Sequence, residues 1–144
     1  MLLIVFLLVI YTIYTFPRSI YDITSDNIQT ISIHYDDDIF DQDTKNDKEI
    51  VVKDPDTVKK IMGILNKNGF RKKILFKTHS VQKSTNKIGF ILLTVSNEKD
   101  SVNPLQFYSD GTIFDGSNEY HIGLFGKSET KELYNELLSN IKTQ

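Results

Sequence analysis

Apolar side chains run without a charged interruption from Met1 to Phe16, and beyond residue 28 they recur at the spacings of strands and helices. The opening run, MLLIVFLLVIYTIYTF, predicts a helix of 16 residues. Such a helix rises only ~24 Å against ~30 Å of bilayer hydrocarbon, and continuing to Ile20 makes a marginal span. Tyr11 and Tyr14 lie toward its C-terminal end, where an aromatic belt would sit. Farther on, Ile31, Ile33 and Tyr35 alternate with Ser32 and His34, which predicts a half-buried strand over Ile28–Tyr35. Glu49–Lys53 reads as a second, shorter strand. Asp54 as N-cap and Pro55 at the first helical position then open a helix whose apolar face is Val58, Ile61, Met62 and Leu65, and Asn68-Gly69 ends it.

The second half of the chain is dominated by strands and tight turns. Lys72–Thr78, Lys87–Ser96, Leu105–Tyr108, Thr112–Phe114 and Glu119–Phe125 read as strands. Asp110-Gly111 predicts a hairpin with a type I′ turn, and Asp115–Asn118 makes the next turn. Ser128 is expected to cap a last helix, with Glu129 and Glu132 in its first turn and Leu133, Tyr134, Leu137, Leu138 and Ile141 as its apolar stripe. The order β-β-α-β-β-β-β-β-α implies an α+β domain, an antiparallel sheet with two helices packed on one face. Three regions are expected: a signal anchor over residues 1–20, a linker over 21–27 and the domain over 28–144.

The helix opening Asp54-Pro55-Asp56-Thr57-Val58-Lys59-Lys60-Ile61, the hairpin Phe107–Ile113 and the strand Glu119–Ile122 resemble those of small membrane-anchored extracytoplasmic domains from Gram-positive bacteria, whose function is not established. The likeness covers residues 28–142. It rests on structural punctuation, so it implies an anchored cell-surface domain and carries over no site residue.

Composition sharpens this picture mainly by exclusion. The chain has 144 residues, no cysteine and a net charge of −2. Length limits it to one domain beside the apolar segment. Without cysteine there is no disulfide framework, thiolate metal site, cysteine nucleophile or lipidated cysteine. Absence of a basic stretch before the apolar run, and of a small-x-small site after it, favours an uncleaved anchor over a cleaved signal. Arg18 is the nearest basic residue and lies on the C-terminal flank, which taken literally would put the domain in the cytoplasm. The lack of cysteine suits an exported domain, and an extracytoplasmic placement is expected.

Charge is segregated into blocks: net −6 over residues 17–49, +8 over 53–87 and −4 over 98–144. The acidic block holds Asp36, Asp38, Asp41 and Asp43, oxygen ligands of the type calcium wants, but the EF-hand positions carry Phe40, Asp41 or Lys45 where ligands or glycine belong. A solvated loop that guards a strand edge accounts for the same residues. The basic block, with Lys59, Lys60, Lys67, Arg71, Lys72 and Lys73 at its centre, suits a solvated face or an anionic partner such as lipid head groups or an envelope polymer. Few aromatics interleave with these lysines, so nucleic acid is not expected as a partner.

Signals for catalysis are sparse. No G-x-S-x-G elbow is present, and Gly123–Ser128 has too few residues between its glycines for a phosphate-binding loop. His34, His79 and His121 lack a metal-ligand spacing with one another. If their strands were neighbours, His34, His121 and Glu119 would form a titrating cluster. No metal or cofactor is expected. Ile88–Val95 is apolar on both faces, which predicts cover on both. Ile91, Leu93 and Val95 are the expected docking face, with Leu93→Lys expected to spare folding and abolish association. The sequence therefore reads as a membrane-anchored, non-catalytic binding domain. An inhibitor or immunity-type protein masking a partner at the membrane is the alternative, and a hydrolase ranks third.

Overall fold

The computed structural model describes residues 2–17, 28–37, 48–73, 88–97, 104–123 and 127–142. Helix α1 (Leu2–Thr15) precedes strands β1 (Thr30–Asp36) and β2 (Lys48–Val52), helix α2 (Pro55–Asn66) and strand β3 (Phe70–Lys72). Strands β4 (Phe90–Ser96), β5 (Leu105–Tyr108), β6 (Ile113–Phe114) and β7 (Glu119–Ile122) follow, and helix α3 (Lys127–Lys142) ends the series. Beyond α1, this is the order read from the sequence. The continuations expected over 74–78 and 124–125 lie outside the described residues.

All seven strands form one antiparallel sheet in the order β2-β1-β4-β5-β6-β7-β3. Register decides which face is buried. Ile31, Ile33 and Tyr35 stand opposite Val95, Leu93 and Ile91, and Leu93 and Ile91 in turn stand opposite Leu105 and Phe107. Their side chains therefore share one face, and all of them are buried in a single core with Val58, Ile61, Met62, Ile64 and Leu65 of α2 and Leu133, Tyr134, Leu137 and Ile141 of α3. The other face carries Ser32, His34, Phe90, Leu92, Gln106, Tyr108 and Phe114, all partly exposed.

Helix α2 starts as the sequence demands. Asp54 Oδ2 accepts hydrogen bonds from the Thr57 N–H at 2.9 Å and the Thr57 hydroxyl at 2.7 Å, which satisfies an otherwise orphaned donor of the first turn. Those two bonds hold the Asp54 carboxyl below its ordinary value. Helix α3 begins at Lys127, one residue before the expected cap. Its Thr130 hydroxyl accepts the Ile122 N–H at 3.2 Å, fixing the helix on β7. Tyr134 lies in the core with its hydroxyl against Gly89, where a Cβ would come within clash distance. Burial, with Asp37 and Asp36 nearby, raises its phenol to about 12.

The β5–β6 hairpin departs from expectation. Among the described residues no non-glycine has positive φ, so Asp110 is not in a type I′ conformation. The Gly111 N–H instead donates to Tyr108 O at 3.0 Å and the Tyr108 N–H to Thr112 O at 2.9 Å, closing a three-residue loop with Gly111 at φ +89°. A type I turn followed by a left-handed glycine has these features. Asp110 Oδ1 accepts the Thr112 N–H across it.

Candidate functional site

Helix α1 has no polar face. From Leu2 to Ile13 every residue is exposed, and all but Thr12 are large apolar or aromatic side chains. Thr12 returns its hydroxyl to the backbone, donating to Leu8 O at 2.7 Å and Val9 O at 2.9 Å. Leu2, Leu3, Val5, Phe6 and Val9 form an open apolar surface on one side of this helix. An apolar surface of this kind holds no ligand by polar contacts and suits chains of hydrocarbon. With 14 residues α1 rises ~21 Å. Among the described residues no helix is long and apolar enough to cross a membrane.

The helix meets the rest of the molecule at one edge of the sheet. Residues of α1 lie against β3, and Pro17 approaches Gly69 so closely that a Cβ there would stand 2.7 Å from Pro17 Cβ. Gly69 separates α2 from β3, so the apolar helix leaves the domain where the basic block is densest. Lys59 and Lys60 are exposed on α2, Lys67 is exposed at its C-cap, and Arg71 and Lys72 occupy β3, which among the described residues pairs with β7 alone. Lys67 Nζ bonds Glu136 Oε1 at 2.6 Å. The six basic residues singled out in the sequence thus occupy one helix and its C-cap, one edge strand and the residue that follows it.

Lys73 reaches a buried carboxylate. Its Nζ lies 2.7 Å from Glu119 Oε1, and Glu119 is only 4% exposed although it stands on the sheet face away from the helices. His121, two residues along the same face, pairs with Arg71 in the β3–β7 register. Burial first, then the cations Arg71 and Lys73, lower the His121 pKa, against the opposing influence of Glu119 and Glu129. Glu129 packs beside Gly123, whose φ is +71° and where a Cβ would meet the Glu129 carboxylate at 2.8 Å.

Other expectations fare differently. His34 does not join His121 and Glu119, because β4, β5 and β6 stand between β1 and β7. Four strand spacings put the two histidines on the order of 19 Å apart. His79 lies outside the described residues. Asp38, Asp41 and Asp43 also lie outside them, while Asp36 ends β1 and Asp37 Oδ1 accepts from Lys142 Nζ at 3.2 Å. Among the described residues no group of three or more His, Asp or Glu side chains is placed to hold a metal ion.

The expected docking face is overturned. Ile91, Leu93 and Val95 are each 0% exposed, in the core beneath the helices. Hydrophobicity on both faces of β4 left the choice of face open, and the register with Ile33 and Leu105 settles it. What the sequence did not disclose is the arrangement on the other face. Phe90 and Tyr108 rings lie 5.2 Å apart and Tyr108 meets Phe114 edge-on at 6.0 Å, a three-strand aromatic row created by cross-strand register.

No protein-family model, curated protein or solved structure matches this chain.

Proposed function

We propose that this protein is a membrane-anchored, non-catalytic binding domain, with α1 in the bilayer and the α+β domain held at its surface outside the cytoplasm. The observation that carries this reading is α1 itself, apolar on every side and exposed on every side from Leu2 to Ile13. A helix that is hydrophobic all round needs apolar surroundings, and the described residues of the domain leave it exposed from Leu2 to Ile13. Its 14 residues fall short of a relaxed bilayer, a mismatch that local thinning of the lipid accommodates at modest cost. The lack of cysteine in the chain agrees with an exported domain.

Flotation of the full-length chain with liposomes tests the anchor. The wild-type chain is expected to float and to resist an alkaline wash. Leu8→Lys, which puts a charge near the middle of α1, is expected to shift the partition by roughly 100-fold, the factor that corresponds to about 3 kcal/mol for lysine at a helix centre. A wild-type chain that stays in the aqueous fraction would overturn the reading. Protease digestion of the domain in intact cells, compared with lysed cells, tests the side of the membrane. Protection until lysis would move the domain to the cytoplasm.

A further inference from the structure

We infer that the basic edge of the domain rests on anionic phospholipid head groups, which act as its ligand. This inference rests on α1 being inserted in the bilayer and adds a second, electrostatic contact to it. Three observations converge. First, the Pro17–Gly69 approach fixes the membrane-proximal end of the chain at the junction of α2 and β3. Second, cations outnumber the one acidic residue of α2, Asp56: Lys59 and Lys60 precede Gly63 by four and three residues, the C-cap Lys67 follows it by four, and Arg71 and Lys72 extend the charge along β3. Third, the other edge of the sheet has no such excess of cations: on β2, the opposite edge strand, Lys48 stands beside Glu49, and at the end of β1 Lys142 pairs with Asp37. Six strand spacings, on the order of 29 Å, separate the two edges.

That asymmetry orients the molecule. An anionic surface attracts the β3 edge more than the β2 edge, and the attraction fades within a Debye length of ~8 Å at physiological salt. Only residues held close to the head groups can use it, and the Pro17–Gly69 contact supplies that closeness. Lys67 and Lys73 already neutralise Glu136 and Glu119. Lys59 and Lys60 are therefore the side chains to alter, since their replacement strands neither carboxylate.

The absence of native cysteine makes the test direct. Gly63 is exposed, with nothing within 4 Å of an added Cβ, so Gly63→Cys places a single fluorophore between Lys60 and Lys67. Val51→Cys, at a 48% exposed site on β2, places the same fluorophore at the far edge. Each full-length variant is reconstituted into neutral phosphatidylcholine vesicles and into vesicles with added phosphatidylglycerol, both bearing a head-group quencher. Quenching at Gly63→Cys is expected to rise with phosphatidylglycerol and fall with salt, while Val51→Cys stays unquenched. Lys59→Glu with Lys60→Glu is expected to weaken the docked state by roughly 30-fold or more, the factor two lysines supply at an anionic surface. Capture by neither vesicle would defeat the anchoring reading. Capture by both, with Gly63→Cys quenched no more than Val51→Cys, would overturn the lipid contact alone. So would a salt-sensitive response to a soluble polyanion with none to lipid charge, which would assign the basic edge to an envelope polymer.

Discussion

Lys73 and Glu119 are unequal partners: the carboxylate is buried and the ammonium is nearly half exposed. Lys73→Met removes the cation and leaves the carboxylate in place, so the loss should reflect a stranded buried charge, softened by the water that reaches Lys73. A destabilisation of about 1–2 kcal/mol is expected in urea unfolding. His121 beside them gives the fold a pH dependence with a definite sign. Its folded pKa lies below the ordinary 6.5, chiefly through burial and then through Arg71 and Lys73. As pH falls through the unfolded value, the unfolded chain takes up a proton that the fold resists, so stability drops. The loss is complete below the folded pKa, and none of it is present well above pH 6.5. The urea midpoint should therefore decline from pH 7.5 to 5.5 more steeply in the wild-type chain than in His121→Gln. Equal slopes would remove His121 from the account.

Among the elements, β4 shows where sequence reading reaches its limit. Its strand character was legible from Ile88–Val95, but both of its faces are apolar and only its neighbours distinguish them. Ile31, Ile33 and Tyr35 on one side, and Leu105 and Phe107 on the other, each alternate with polar residues. Strand order transmits that alternation to β4, and strand order is a property of the assembled sheet. The same reason separated His34 from His121. Leu93→Lys is thus expected to prevent folding, with a cost of about 4–5 kcal/mol or more and loss of the cooperative urea transition. The β5–β6 turn shows a subtler limit. Asp110-Gly111 suits either a two-residue or a three-residue loop, and the Tyr108–Thr112 hydrogen bond selects the longer one. Gly111→Ala must place a side chain at φ +89° with its Cβ 2.7 Å from Lys127 O. A loss of about 1–3 kcal/mol is expected by denaturant unfolding.

At the scale of the molecule, part of the basic block of the sequence became one edge of the sheet, with Arg71 and Lys72 on β3 and Lys67 shortly before it. The blocks were legible, but their relation to α1 was not, because the contact that relates them is a single close approach between Pro17 and Gly69. Glycine at 69 leaves space that no other side chain would leave. Gly69→Ala is expected to part the domain from α1 without unfolding it. The urea midpoint should hold while the anisotropy of a fluorophore at Val51→Cys falls in vesicles. Unchanged anisotropy would show that this contact does not restrain the domain.

The Pro17–Gly69 contact also governs reach. Ten extended residues between Pro17 and Ile28 would span up to ~35 Å, enough to let a tethered domain search well away from its attachment point. Holding Pro17 against Gly69 forfeits that search volume. A domain of this size has a radius of gyration of ~13 Å, so on the proposed anchoring its whole working range would lie within a few nanometres of the lipid. Under that proposal any partner would itself have to arrive at the bilayer, and encounter would become a matter of lateral diffusion in two dimensions.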